Sequence, residues 1–180
     1  MTKKIIVAIL GVLLICSFIA GGTFAWLMDQ TRTVENVFTV GDITISLSES
    51  ANLDLKMIPG KSITKDPKIT VKGGSEDCWL FVEIEKVNDV DTYLSYAMED
   101  GWTELTGVTG VYYREVASNT VDQNFFVIKN NVVVVKESVT KAELEAVALD
   151  ANPIKLSFTG YAIQKEGVSS AADAWSKIKP

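Results

Sequence analysis

Between Asp42 and Ser48 the chain alternates strictly, with Ile43, Ile45 and Leu47 on one side and Thr44, Ser46 and Ser48 on the other. A period of two fits a β-strand with one face buried and does not fit a helix. The pattern recurs along the chain. "DCWLFVEIEKV" sets Cys78, Leu80, Val82 and Ile84 against Trp79, Phe81, Glu83 and Glu85. "VYYREV" (Val111–Val116) predicts another strand, and "IKLSFTGYAIQ" a further one with Ile154, Leu156 and Phe158 inward. Pro59-Gly60 turns the chain, and "PKITVKGG" reads as a short edge strand ending at Gly73-Gly74. "NFFVIKNNVVVVKES" reads as a hairpin about Lys129-Asn130-Asn131, where asparagine tolerates the positive φ of a tight turn.

Helical signals are few and short. "DTYLSYAME" predicts one helix from about Asp91. "TKAELEAVALD" carries a Thr140-x-x-Glu143 capping box and stops at Asn152-Pro153. "SAADAWSKIKP" starts at Ser170 and Asp173 and places Trp175 and Ile178 on one face. About six strands with short helices between them predict a mainly β, two-sheet antiparallel sandwich.

At 180 residues the chain suits one domain, and 47% hydrophobic residues suffice for a core. Its net charge is −6. An acidic chain repels nucleic acid and anionic lipid, so nucleic-acid binding is not expected. Histidine is absent altogether, which removes the commonest general base, the commonest neutral metal ligand and every HExxH zinc site. Of two cysteines, Cys16 lies in the apolar N-terminal stretch, so without that stretch Cys78 has no partner for an intrachain disulfide. On the apolar face of its strand, Cys78 reads as a small buried hydrophobe.

The N-terminus has the form of an export signal. "MTKK" is a positive n-region, "IIVAILGVLLICSFIA" is uncharged, and "GGTFA" is small and extended. Thr23 and Ala25 take the −3 and −1 places if the cut falls before Trp26. A cleaved signal peptide over residues 1–25 is preferred to a retained anchor. Removing it leaves 15 basic residues against 23 acidic, a net charge of −8.

Residues 26–40 follow as "WLMDQTRTVENVFTV", with Trp26, Met28, Val34 and Phe38 among mostly apolar even positions and Thr31, Thr33 and Thr39 at odd ones. Two readings stand. The segment is either the first strand of its own sandwich or an arm that completes the sheet of a neighbour. Thirteen extended residues reach about 43 Å, enough to cross a subunit of this size.

The boundary "GGTFAW", then "VFTVGDITISLSE", then "IPGKSITKDPKITVKGGSEDCWLFVEIEK" resemble the TasA/camelysin family of Gram-positive surface and biofilm-matrix proteins, most clearly over about Lys3 to Lys86. The resemblance implies a jelly-roll-like sandwich of residues 41–180 that is secreted to the cell surface. It implies that a SipW-type signal peptidase cuts between Ala25 and Trp26, the membrane being met only through the leader. It further implies polymerisation into extracellular fibres, each copy giving a strand from Trp26 towards Phe38 to the next. On that view Trp26, Met28, Val34 and Phe38 fill the acceptor, and the protein has no cofactor and no catalytic residues.

Two other functions compete. Camelysin-like relatives have been classed as metallopeptidases, but without histidine a metal site here would need carboxylates, which suit Ca²⁺ better than catalytic Zn²⁺. A monomeric surface-binding module would need exposed aromatics, for which Trp79, Trp102, Tyr112, Tyr113 and Trp175 are candidates unless they pack in the core.

Overall fold

Strand β4 (Cys78–Val87) is buried on both faces over its first five residues, and the layers of the molecule follow from that. In the computed structural model, which describes residues 42–50, 57–148 and 154–179, β4 lies inside a four-stranded antiparallel sheet. It pairs with β7 (Val111–Val116) on one side and β10 (Lys155–Gln164) on the other, and β6 (Thr103–Glu104) follows β7. On the face carrying Cys78, Leu80, Val82 and Ile84 packs a second sheet, β1 (Ile45–Ser48), β3 (Lys68–Val71) and β8 (Gln123–Phe126). A third sheet, β2 (Ser62–Thr64), β9 (Val132–Val135) and β5 (Leu94–Ser95), shares a core with Leu144 of α2 (Lys141–Ala148) and with Leu156 and Phe158 of β10. The mainly β, sandwich-like fold expected from the sequence is therefore present, its antiparallel strands distributed over three sheets.

The other face of the four-stranded sheet explains why Trp79 and Phe81 occupy the alternate positions of β4. Helix α3 (Ala171–Ile178) lies there and buries both under Ala171, Ala174 and Trp175. Ring centroids are 5.3 Å apart for Phe81 and Trp175, and 5.4 Å for Tyr161 and Trp175. Ser170 caps the helix as expected, its hydroxyl accepting from the amide of Asp173 at 3.2 Å. The far end is tied down by Lys179, whose ammonium lies 2.6 Å from a Glu83 carboxylate oxygen. Tyr161 donates to the same carboxylate at 2.9 Å.

The Lys179 hydrogen bond, helped by Tyr161, holds the Glu83 carboxyl below its ordinary range. A depressed folded-state value contributes stability above the ordinary carboxylate pKa, and that contribution fades as pH falls through the folded value. Glu83→Gln is therefore expected to cost at most about 1 kcal/mol near neutrality. It should also flatten the loss of melting temperature between roughly pH 5 and pH 3, which thermal melts across that range would record.

Three local expectations are corrected. "PKITV" forms β3, which lies between β1 and β8 and is not an edge. Pro67 sits just before the strand, where its missing N–H costs no ladder bond, and its carbonyl accepts from Val127 at 3.0 Å. The stretch about Lys129-Asn130-Asn131 is not a hairpin, because β8 and β9 belong to different sheets. Asn130 and Asn131 do take positive φ, both 55°, but they turn a corner from one sheet to the next. "DTYLSYAME" gives only the single turn α1 (Val90–Tyr93), since Leu94 extends to pair with Val135. The Thr140–Glu143 box forms reciprocally, with bonds of 3.3 and 2.7 Å; the helix end expected at Asn152-Pro153 lies outside the described residues.

Candidate functional site

Among the described residues, the space between the two main sheets is filled along one flank and open along the other. On the filled flank, residues 97–102 run beside the chain leaving β8. Glu99 donates to the Val127 carbonyl, Lys129 donates to the Ala97 carbonyl, each at 2.9 Å, and the Trp102 indole donates to the Phe126 carbonyl at 2.8 Å. The Arg114 guanidinium plugs the remaining gap, 4.3 Å from the Phe125 ring centroid and 5.4 Å from that of Trp102.

On the open flank the edges of the two sheets, β1 and β10, lie side by side. Among the described residues β1 pairs only with β3, and β10 only with β4. Their free backbone groups can be assigned from the ladders. Lys165 donates to the Asp77 carbonyl at 2.8 Å, in register with the pairing of β10 and β4. Alternation then turns the N–H and C=O of Leu156, Phe158, Gly160 and Ala162 outward. Likewise Lys72 donates to the Thr44 carbonyl at 2.9 Å, which leaves Ile45 and Leu47 with outward groups on β1.

Side chains on this flank are apolar and incompletely covered. Ile45, Leu156 and Phe158 are half-buried, and Leu47 is 41% exposed although it lies on the inward side of its strand. A groove of about 310 Å³ runs between Leu47, Ser48 and Glu49 on one wall and Leu156, Ser157 and Phe158 on the other, with Pro67 beside them. Gly160 continues the line. A Cβ there would stand 3.3 Å from the Ile69 Cδ1 atom, so glycine lets the sheets approach closely beyond the groove. At the groove's mouth Lys65 pairs with Glu49 at 2.6 Å, and its ammonium lies 5.3 Å from the Phe158 ring centroid. Ser50 donates to Asp66 through its hydroxyl and, at 2.9 Å, through its amide, which holds that carboxyl below its ordinary range.

The residues singled out in the sequence fall unevenly on this picture. The cleavage positions Thr23, Ala25 and Trp26 and the arm positions Met28, Val34 and Phe38 lie outside the described residues. The aromatic candidates for a binding module are largely packed away: Trp79, Trp102 and Trp175 are buried, and Tyr112 and Tyr113 are half-buried. Cys78 is buried as expected, and burial pushes its thiol up to about 11. The groove residues Leu47, Leu156 and Phe158 were legible only as inward-facing apolar positions. No local signal distinguishes an inward residue in the middle of a sheet from one on a strand at its edge.

A model of the camelysin metallo-endopeptidase family matches residues 1–95, just over half of the chain. No curated protein and no solved structure matches. The donors among the described residues do not fit the metal that this description implies. The chain has no histidine, the one described cysteine is a buried and protonated thiol, and no three Cys, Asp or Glu side chains converge among the described residues.

Proposed function

We propose, for a chain that belongs to the camelysin metallo-endopeptidase family, a structural and non-catalytic role: a secreted subunit that assembles into extracellular fibres. In this reading residues 1–25 direct export and are removed before Trp26 by a SipW-type signal peptidase. The freed arm from Trp26 towards Phe38 then fills the flank of another copy. The open flank carries the reading. Two edges unpaired among the described residues and a half-covered apolar groove suit strand addition, since an incoming strand satisfies backbone groups and buries side chains together.

The magnitudes favour occupancy. Burying one apolar side chain contributes about 1.5–3 kcal/mol, and Trp26, Met28, Val34 and Phe38 offer four. The groove walls are already formed by strands, so ordering falls mainly on the arm. Donation to a neighbour gives a head-to-tail contact, which builds an open filament when the rotation between copies does not close a ring.

Electron microscopy of the protein beginning at Trp26, beside the form that keeps residues 1–25, tests the reading. Filaments from the first and none from the second are expected. Monomers from both, by size-exclusion chromatography at every concentration tried, would overturn it.

A further inference from the structure

Asp100 is followed by Gly101, and no other aspartate or asparagine in the chain precedes a glycine. The pair forms the corner of the segment that fills the second flank. Across that corner Trp102 donates to the Glu99 carbonyl at 3.4 Å, and Gly101 takes a φ of 89°, as the third position of a type II turn requires. We infer that this corner is a site of spontaneous covalent modification, at which Asp100 converts to isoaspartate in the folded protein, and that Lys129 restrains the conversion.

The reaction needs only the chain and water. The Gly101 backbone nitrogen bonds to Cγ of the Asp100 carboxylic acid, whose hydroxyl leaves with the amide proton as water, and a five-membered succinimide closes. Water then reopens the ring at either carbonyl. Addition at Cγ restores the original peptide. Addition at the backbone carbonyl of Asp100 breaks the bond from that carbon to the Gly101 nitrogen, so the peptide now runs through Cγ and the old carbonyl becomes a free carboxylate. Nothing is oxidised or reduced, and the mass is unchanged. A side chain on the following residue would crowd the approach to its nitrogen, and glycine has none.

The structure supplies the access and the restraint. The Asp100 side chain is 83% exposed. In the closed turn the Gly101 nitrogen points away from that side chain, so ring closure needs a rotation about the Cα–C bond of Asp100. At 3.4 Å the bond closing the turn is long and yields readily. The opening stays local, because Glu99 is held to the Val127 carbonyl at 2.9 Å and the Trp102 indole to the Phe126 carbonyl at 2.8 Å. Lys129 opposes the step. Its ammonium lies 2.8 Å from Asp100 Oδ1, and the carboxyl must leave it before it can be attacked. Isoaspartate adds one methylene to the turn. The space behind Gly101 is taken, since a Cβ there would stand 2.9 Å from Arg114 Nη2, so the longer turn bulges outward.

The test ages the folded protein for several weeks in warm, mildly acidic buffer and maps its peptides by chromatography and mass spectrometry. Isoaspartate is recognised by unchanged mass, altered retention and resistance to an Asp-specific protease. Asp91 and Asp122, exposed but followed by Thr92 and Gln123, are controls in the same sample. Conversion at Asp100 is expected to exceed theirs by about tenfold, the approach to Gly101 being unshielded. K129Q, shown by thermal melting to be folded, should convert faster, and hydroxylamine should trap the succinimide at Gly101. Conversion at Asp100 no greater than at the controls would overturn the site, and equal rates in K129Q and the unaltered protein would overturn the restraint. A rate that climbs with low urea in step with unfolding would place the reaction in the unfolded chain and overturn the inference. A rate indifferent to low urea supports it.

Discussion

Leu47→Asp is expected to leave the monomer folded and to stop its assembly. Leu47 is 41% exposed at the end of a short edge strand, so the free subunit gives up little packing when it is replaced. In a filled groove the same position would hold a carboxylate against apolar side chains, with no partner of opposite charge assigned to it. Lost apolar burial and the desolvation of the charge together cost on the order of 3 kcal/mol or more. Because 1.4 kcal/mol is a factor of ten, the concentration needed for filaments should rise by about a hundredfold or more. Thermal melting of the monomer and electron microscopy over a concentration series would record the two halves of this result. A large drop in melting temperature would show instead that Leu47 belongs to the subunit's own core.

Phe81→Ala should have the opposite signature, a folding defect at any concentration. Phe81 has no exposed surface and stands between Tyr113 and Trp175 on the face covered by α3. Truncating a buried phenylalanine costs about 3–5 kcal/mol, the larger figures where the cavity cannot collapse. Collapse is restricted here because β4 is fixed by strands on both sides, although α3 could settle inward by a small amount. A domain of this size is commonly stable by only about 5–15 kcal/mol, so chemical denaturation should show a much reduced midpoint. A loss below about 1 kcal/mol would mean that α3 contributes little and that its cover is dispensable.

The sequence was informative where a residue answers to its own neighbours. The alternation of β4, the strand at Val111–Val116, the capping box at Thr140 and the Ser170 cap all depend on contacts within a few positions, and all are present. It was misleading where the answer depends on a distant partner. Pro67 suggested an edge because a proline within a central strand is costly, but the strand begins one residue later. Asn130 and Asn131 signalled a tight turn correctly, yet nothing local says whether the strands on either side share a sheet. Trp79 and Phe81 alternate with the sandwich core and so looked outward, and only α3, ninety residues further on, covers them. The flank left open among the described residues was the least legible feature, because an edge is defined by strands distant in sequence and not by its own residues.

The filling of the second flank by Trp102 and Arg114 has a consequence for the material such a subunit would make. If the arm is donated as proposed, one strand to give and one flank open among the described residues would make each molecule bifunctional in the polymer chemist's sense, and bifunctional units make linear chains without branch points. Stiffness along the thread would come from this protein, while any elasticity or gelation of a mesh would require a separate species that ties threads together.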